Sequence, residues 1–216
     1  ERGEEEASLA LFRSILRDFP ESRFRPDAHM ALALFPNLAA KTFPEFLAMA
    51  RAQPGKLTLA SAGTGTSTHL AIELLKTMAK VDILHVPYKF AAPALIDVVS
   101  GQVQIMFGTA AITLSQIRAG RMKPLGVSTP KRSSLLPEVP TLAESGAPGY
   151  EMNTWWGVLG PAGMPPTVVT RLHADIAALL GQADSAKRLE SEGAVPSQLA
   201  SAEFARMLGS EVEKWT

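Results

Sequence analysis

Apolar residues follow two alternating patterns through the middle of the chain: short continuous runs, and longer stretches in which they recur every three or four positions. The runs and the stretches that follow them are 57–60 and 67–80, 83–86 and 93–99, and 103–107 and 112–119, with a further run at 125–128. Short apolar runs are typical of buried strands, and the longer spacing is typical of amphipathic helices. Strands that alternate with helices of about ten residues indicate βαβ crossovers and a parallel sheet.

Capping signals predict where the first helix of this region begins and ends. Thr42 and Glu45 have the spacing of a capping box, in which a hydroxyl and a carboxylate accept hydrogen bonds from first-turn amides. The helix is expected to run from this box to about Gln53, because Pro54 and Gly55 then interrupt it.

The last third of the chain predicts one short helix, one strand and three further helices. In order, these are a capped helix at 137–146, an aromatic strand at 151–159, and helices at 165–180, 183–192 and 201–215. The strand carries Trp155 and Trp156, and aromatic residues in strands usually pack in a core. Pro165 and Pro166 stand at a helix start, where a missing N–H group costs nothing.

Residues 1–33 have a different pattern from the rest of the chain. Apolar residues at helical spacing follow an acidic start, and Pro20 closes the segment, so one amphipathic helix is expected. The stretch 7–22, followed by 25–28, resembles part of a tetratricopeptide repeat. Because a single repeat cannot bury its own apolar face, two interpretations stay open: a terminal helix of the following domain, or a foreign or fused segment.

Charge and composition exclude several classes of partner. The 216 residues carry 21 Lys and Arg against 21 Asp and Glu, so the chain lacks the positive field that nucleic-acid binding requires. It contains no Cys, which excludes disulfides and thiolate metal sites. Apolar stretches such as 91–99 are far shorter than the roughly 20 residues that span a bilayer. The acidic start lacks the pattern of a secretory signal, so the signal peptide of an exported protein is expected to be absent from this chain.

The richest chemical feature is a Gly/Ser/Thr loop between a predicted strand and a predicted helix. Its residues are Ser61, Ala62, Gly63, Thr64, Gly65, Thr66 and Ser67. Hydroxyls and unpaired amides at the start of a helix can form an anion site, and a carboxylate fits such a site. A phosphate would also fit, but the loop lacks the Gly-Lys-Ser/Thr ending of a nucleotide-binding P-loop. A purely structural capped turn is the third possibility.

Two histidines and a tyrosine are the other candidate site residues. His69 is in the first helical turn and is grouped with the loop as a ligand-binding residue, whereas His85 lies in the next strand. A metal site needs three or more converging ligands, and no further ligand recurs at suitable spacing, so no metal and no cofactor is predicted. No nucleophile-elbow motif is present and no catalytic residue is predicted, although a scattered triad leaves an enzyme open. Tyr88 follows a strand at its carboxyl end, where open α/β sheets bind ligands.

Several strings of the sequence, taken in order, resemble one known family. They are Pro54-Gly-Lys-Leu-Thr-Leu-Ala-Ser-Ala-Gly-Thr-Gly-Thr-Ser-Thr-His-Leu-Ala71, His85-Val-Pro-Tyr-Lys89, Ala92-Pro-Ala-Leu95, Leu136-Pro-Glu-Val-Pro-Thr-Leu-Ala-Glu-Ser-Gly146 and Trp156-Gly-Val-Leu-Gly-Pro-Ala-Gly163. Over about residues 34–216, their order and spacing resemble the substrate-binding receptors of tripartite tricarboxylate transporters, called the Bug family.

The resemblance implies an α/β fold of the type II periplasmic-binding-protein class, in which two lobes joined by crossing strands hold a carboxylate between them. Residues 34–150 would form one complete parallel-sheet lobe that binds the ligand. Residues 151–216 would supply a crossing strand and the C-terminal helices of an incomplete first lobe, and residues 1–33 a separate helical segment. Ligand contacts would come from residues 61–67 and from Tyr88.

The implied function is that of a solute-binding receptor and not that of an enzyme. The receptor would capture a small organic carboxylate in the periplasm and deliver it to the membrane permease subunits of a tripartite tricarboxylate transporter. The alternative is a truncated or fused fragment that acts as a protein-interaction module through its N-terminal helix.

Two positions depart from the pattern of the resembled family. Phe90 and Ala91 stand where Gly-Gly is usual, and Gly108 stands where Asp is common. Phe90 would fill space at the cleft, and Gly108 would remove a possible partner for a ligand amine.

Overall fold

The computed structural model describes residues 27–28, 30–191, 194–197 and 199–215. They form two compact units, one running from Ala28 to Thr154 and the other containing Asp27 and the described residues from Trp155 onward. The chain enters the first unit through the short strand β1 (Asp27–Ala28). The amphipathic helix and most of the tetratricopeptide-like stretch predicted near the N-terminus lie outside the described residues.

The first unit is built around a five-stranded sheet. Its strands are β2 (Met30–Leu34), β3 (Thr58–Ser61), β4 (Leu84–Pro87), β5 (Ile105–Thr109) and β6 (Lys123–Val127), in the order β4-β3-β5-β2-β6. β3 pairs in parallel with both β4 and β5. The three strands that were predicted to share a sheet do share one, and the α/β fold class is confirmed.

The sheet is mixed, whereas the sequence predicted a parallel sheet. β2 runs antiparallel to both of its neighbours, β5 and β6. No strand was predicted here, and most of β2 lies in the segment 1–33 that was expected to be helical. All five of its residues are buried, so the run Met-Ala-Leu-Ala-Leu lacks the alternation of polar and apolar residues that identifies a half-exposed strand.

Four helices of the described chain lie between these strands: α1 (Phe43–Ala52), α2 (Ser67–Ala79), α3 (Ala91–Val99) and α4 (Ala110–Arg118). The predicted cap of α1 is present, because the Thr42 hydroxyl accepts a 3.4 Å hydrogen bond from the Glu45 amide. The Glu45 carboxylate accepts from the Lys41 amide at 2.6 Å. α2 ends at Ala79, and the C-cap residue Lys80 has a left-handed φ of 51°.

Aromatic side chains are among the largest in the core of the first unit. Phe43 and Phe46 of α1 are buried, and their ring centroids lie 6.0 Å apart. Tyr150 is 1% exposed, and its ring stacks on Phe107 of β5. The Tyr150 hydroxyl donates a 2.8 Å hydrogen bond to the Ala71 carbonyl of α2, which links the segment around Tyr150 to this helix.

The segments after β6 contain more turn and less regular structure than predicted. Residues 137–146 form turns in which Thr141 and Glu144 exchange hydrogen bonds, as in a capping box. A helix does not follow, because Gly146 adopts a φ of +126° only two residues beyond Glu144. The aromatic strand expected at 151–159 is reduced to β7 (Thr154–Trp155).

The second unit contains the three helices that the sequence predicted: α5 (Pro166–Leu180), α6 (Ala183–Ser191) and α7 (Ser201–Lys214). Before α7, the short strand β8 (Ala194–Val195) joins a three-stranded sheet in the order β7-β1-β8. These strands are only two residues long, which is why the aromatic segment does not extend further as a strand. Within the residues that the structure describes, no helix is both long and apolar enough to cross a membrane.

Candidate ligand-binding site

The candidate site is the loop that leaves β3 at Ser61 and enters α2 at Ser67. Two glycines give the loop its shape: Gly63 has a φ of +138° and Gly65 a φ of +77°, which residues with a Cβ rarely adopt. A Cβ on Gly63 would also lie 3.0 Å from the carbonyl oxygen of Tyr88. The backbone itself therefore requires these glycines, and the loop lies against the segment that carries Tyr88.

Threonine hydroxyls close the loop from within. The Thr66 hydroxyl donates to the Gly63 carbonyl at 2.6 Å and accepts from the His69 amide at 3.4 Å, so Thr66 is the N-cap of α2. The Thr68 hydroxyl lies 2.9 Å from that of Thr66 and accepts from the Ala62 amide at 3.0 Å. Thr68 was not among the predicted site residues. Its position in the first helical turn, directly after the predicted loop, is the signal that could have identified it.

Three amides, one in the loop and two at the start of α2, have no hydrogen-bond acceptor within the part of the chain that the structure describes. Among the described residues, the N–H groups of Thr64, Ser67 and Thr68 donate to no protein acceptor, whereas the amides between and around them are paired. Ser67 and Thr68 open the 13-residue helix α2, so their N–H groups stand at the positive end of the helix dipole. The loop therefore offers hydrogen bonds and partial positive charge to an anion.

Ser61 is fully buried, although the sequence placed it first among the ligand-binding residues. Its hydroxyl oxygen lies 2.6 Å from His85 Nε2 and accepts from the Gly63 amide at 3.1 Å. A serine and a histidine at this distance could resemble a nucleophile and its base, but a nucleophile must reach its substrate and this hydroxyl is enclosed. The structure gives Ser61 a role in shaping the loop, and its direct contact with a ligand stays a prediction.

His69 and His85 form a stacked pair beside the loop. Their ring centroids lie 4.2 Å apart, and the ring planes differ by 20°. His69 Nδ1 accepts a 3.1 Å hydrogen bond from the Gly65 amide, and His69 Nε2 is 3.9 Å from a carboxylate oxygen of Glu73. In the described part of the chain, no group of three or more His, Cys, Asp or Glu side chains could hold a metal ion. His69 thus contacts the loop, the ring of His85 and Glu73, and His85 contacts Ser61 of the loop.

Tyr88 connects the loop to α3. Its amide donates to the Ser61 carbonyl at 3.1 Å, and its hydroxyl donates to Asp97 Oδ2 at 2.6 Å. Burial first, and then the hydrogen bond and the charge of Asp97, raise the pKa of Tyr88 to about 12. The phenol therefore stays protonated, and its hydrogen is committed to Asp97. Asp97 was not a predicted site residue, because only the folded chain brings it to Tyr88.

The structure gives a steric reason for one of the two departures from the family pattern. A Cβ on Gly108 would clash with the methyl group of Thr113, so Thr113 of α4 occupies the space that an Asp at position 108 would need. Phe90 is the N-cap residue of α3 and is 71% exposed. Its ring is thus available for contact, while any role at a ligand stays a prediction.

Known proteins are similar to this chain in sequence and in fold. The family model described as "Tripartite tricarboxylate transporter family receptor" matches residues 25–216. A curated relative, the UPF0065 protein in the tcbD-tcbE intergenic region of Pseudomonas sp. (strain P51), is 43% identical over 172 residues, which are 79% of this chain and 51% of that protein. This chain therefore spans about half the length of that relative.

Two similar solved structures carry small acids. The structure of R. palustris Rpa4515 with adipate is 33% identical, has a TM-score of 0.84 and is matched over 92% of this chain and 66% of that chain. The structure of MatC from Rhodopseudomonas palustris with bound malate is 29% identical, has a TM-score of 0.81 and is matched over 92% of this chain and 68% of that chain.

The sequence resemblance is confirmed by these matches. Every string on which it depended, including the loop at 61–67, lies within the range that the family model matches. The chain belongs to the receptor family of the tripartite tricarboxylate transporters, the family that includes the Bug proteins.

Proposed function

We propose that the chain binds a small organic carboxylate at the loop 62–68 and acts as the solute-binding receptor of a tripartite tricarboxylate-type transporter. The observation that carries this proposal is the set of unpaired amides of Thr64 in the loop and of Ser67 and Thr68 at the start of α2. A carboxylate offers about four acceptor sites on two oxygens, and a hydrogen bond to a charged group contributes roughly 1.5–3 kcal/mol. The loop itself contains no Lys or Arg, so recognition depends on directed N–H groups and the helix dipole.

The ligand class is a small acid with at least two carboxylates. This part of the proposal is supported by the similar structures that hold adipate and malate. Phe90 follows Tyr88 by two residues, and Tyr88 is bonded through its amide to Ser61 in the loop. Because Phe90 is 71% exposed, we favour an acid with an apolar middle, such as adipate, over a compact hydroxy acid.

The proposal also covers the cellular compartment in which the receptor acts and the proteins with which it works. Family membership supports a periplasmic receptor that delivers its ligand to membrane permease subunits and performs no bond chemistry. The burial of the Ser61 hydroxyl argues against Ser61 as a nucleophile. The alternative, an interaction module working through an N-terminal helix, is not favoured, because the family match begins at residue 25 and extends through both units.

The decisive variant is Ser67→Pro. Ser67 is the first residue of α2, and Thr66 before it has φ −76° and ψ 163°, which is the conformation that precedes a proline. Proline is well tolerated at this helix position, so the variant removes one unpaired N–H group and little else. We expect adipate to bind roughly 10- to 150-fold more weakly, corresponding to one lost charge-assisted hydrogen bond. Amide chemical shifts recorded during an adipate titration would measure this even for millimolar affinities.

The matched control is Ser67→Ala, which keeps the amide and removes only the hydroxyl that lies 3.3 Å from the Thr154 hydroxyl. Its affinity for adipate should stay within a few-fold of the unsubstituted chain. Equal affinities for Ser67→Pro and Ser67→Ala, or adipate-induced shifts that avoid the loop, would contradict the proposed site.

A further inference from the structure

One hydrogen bond of the loop depends on a side chain that can take up a proton. Gly65 donates its N–H group to His69 Nδ1 at 3.1 Å. An imidazole nitrogen accepts a hydrogen bond only through its lone pair, so this contact requires Nδ1 to carry no hydrogen. The ring hydrogen of neutral His69 is then on Nε2, on the side of the Glu73 carboxylate, 3.9 Å away.

The groups around His69 come from three elements. Its own helix contributes Glu73, which pairs with Lys76 at 2.9 Å, and β4 contributes the stacked ring of His85. The loop contributes neutral groups, the Gly65 amide and the Thr66 hydroxyl. The His69 side chain is 13% exposed, so it is enclosed by these neighbours and still accessible to protons from solvent.

Protonation of His69 is incompatible with its contact to Gly65. A protonated imidazole donates from both nitrogens, so an N–H group of the ring would face the N–H group of Gly65. A second positive charge on His85, at the 4.2 Å spacing of the rings, would add repulsion. Histidine is the residue type whose charge ordinarily changes between about pH 5 and 8.

We propose that His69 is a positioning residue that holds the loop through Gly65 while its ring is neutral and releases the loop when the ring is protonated. Thr64 and Gly65 are both exposed, so little packing holds them, and the His69 contact is the only hydrogen bond of the Gly65 amide among the described residues. Gly65 stands between Thr64 and Ser67, whose amides form the proposed anion site. The consequence for ligand binding rests on the proposed function, while the consequence for the loop does not.

The loop itself is tested first, in the ligand-free chain, by nitrogen-15 NMR between about pH 8 and pH 5, a range that brackets the ordinary histidine titration. We expect neutral His69 to carry its hydrogen on Nε2, and the Gly65 amide resonance to shift with the same midpoint as the His69 ring. In His69→Asn, the side-chain oxygen takes the position of Nδ1 and cannot titrate, so the Gly65 resonance should no longer change with that midpoint. A hydrogen on Nδ1 of neutral His69, or a Gly65 resonance that does not follow the ring, would overturn the proposal.

The effect on ligand binding is tested by measuring adipate affinity in His69→Ala and His69→Asn at about pH 8, where an ordinary histidine is neutral. Loss of one neutral hydrogen bond should weaken adipate binding roughly 3- to 10-fold in His69→Ala, and His69→Asn should recover most of this loss. Equal weakening in both variants would show that His69 acts by contact with the ligand or by packing, and not by holding Gly65. If adipate binds to none of these proteins, the proposed function fails and the ligand-free titration alone decides this inference.

Discussion

At the scale of single residues, the two tyrosines of the chain provide a direct spectroscopic test of the structure. Burial and Asp97 raise the pKa of Tyr88 to about 12, and burial raises the pKa of Tyr150 even further. We therefore expect the folded protein to show little tyrosinate absorbance at about pH 10.5–11, where free tyrosine, with a pKa of about 10, is mostly ionised. An alkaline titration of the folded and the urea-unfolded chain measures this difference.

The same pKa shifts determine how stability changes at alkaline pH. The folded state keeps Tyr88 protonated up to about pH 12, whereas the unfolded state loses this proton near pH 10. The stabilising contribution is thus complete below about pH 10 and is lost as the pH rises toward 12. Tyr88→Phe should remove this part of the pH dependence and leave the part that comes from Tyr150. A Tyr88 that ionises near pH 10 in the folded protein would contradict the hydrogen bond to Asp97.

The residue types of the loop could be predicted from the sequence, but the division of roles among them could not. Glycines with positive φ and a threonine N-cap are local requirements, so the string at 61–67 already indicated a capped turn at a helix start. Ser61 proves to be enclosed by His85, and Tyr88 is tied to Asp97. These contacts join separate elements of the fold, and no local spacing reveals them.

At the scale of elements, α2 and α5 present the same apolar spacing but different burial. Leu75 of α2 is completely buried, whereas Leu172 of α5 is 48% exposed. Leu75→Ala should lower the free energy of unfolding by about 2–5 kcal/mol, because it leaves a cavity in a packed core. Leu172→Ala should cost less than about 1 kcal/mol. Urea unfolding of both variants measures the difference, and equal losses would show that α5 is buried in solution by contacts absent from the described structure.

This contrast also shows how far sequence patterns determine elements. The 3.6-residue spacing predicted α2 and α5, because that spacing is a local property of one helix. It does not say whether another element covers the apolar face, and Val168, Leu172 and Leu179 of α5 are all more than 40% exposed. Strands depend still more on their neighbours. β2 was missed because both of its faces are buried. The strand predicted at 151–159 was too long, because the length of β7 is limited by partner strands of only two residues.

At the scale of the whole molecule, β2 determines where the first unit begins. The sequence placed the start of the ligand-binding lobe at residue 34, but β2 begins at Met30 and lies between β5 and β6. In the five-stranded sheet, β6 pairs only with β2. Without β2, β6 would therefore lose its pairing with the rest of the sheet, and the unit would also lose a buried strand.

Two fragments test this dependence. We expect residues 28–154 to fold cooperatively, because they form one of the two compact units and contain the whole five-stranded sheet. Residues 35–154 should not, because Met30, Leu32 and Leu34 have no exposed surface in the structure, and burial of three such side chains contributes roughly 5–9 kcal/mol, as much as the whole stability of many domains. Urea unfolding followed by circular dichroism, together with the dispersion of amide resonances, compares the two fragments. A sharp transition of equal midpoint in both would mean that β2 is dispensable and that the strand order of the sheet is wrong.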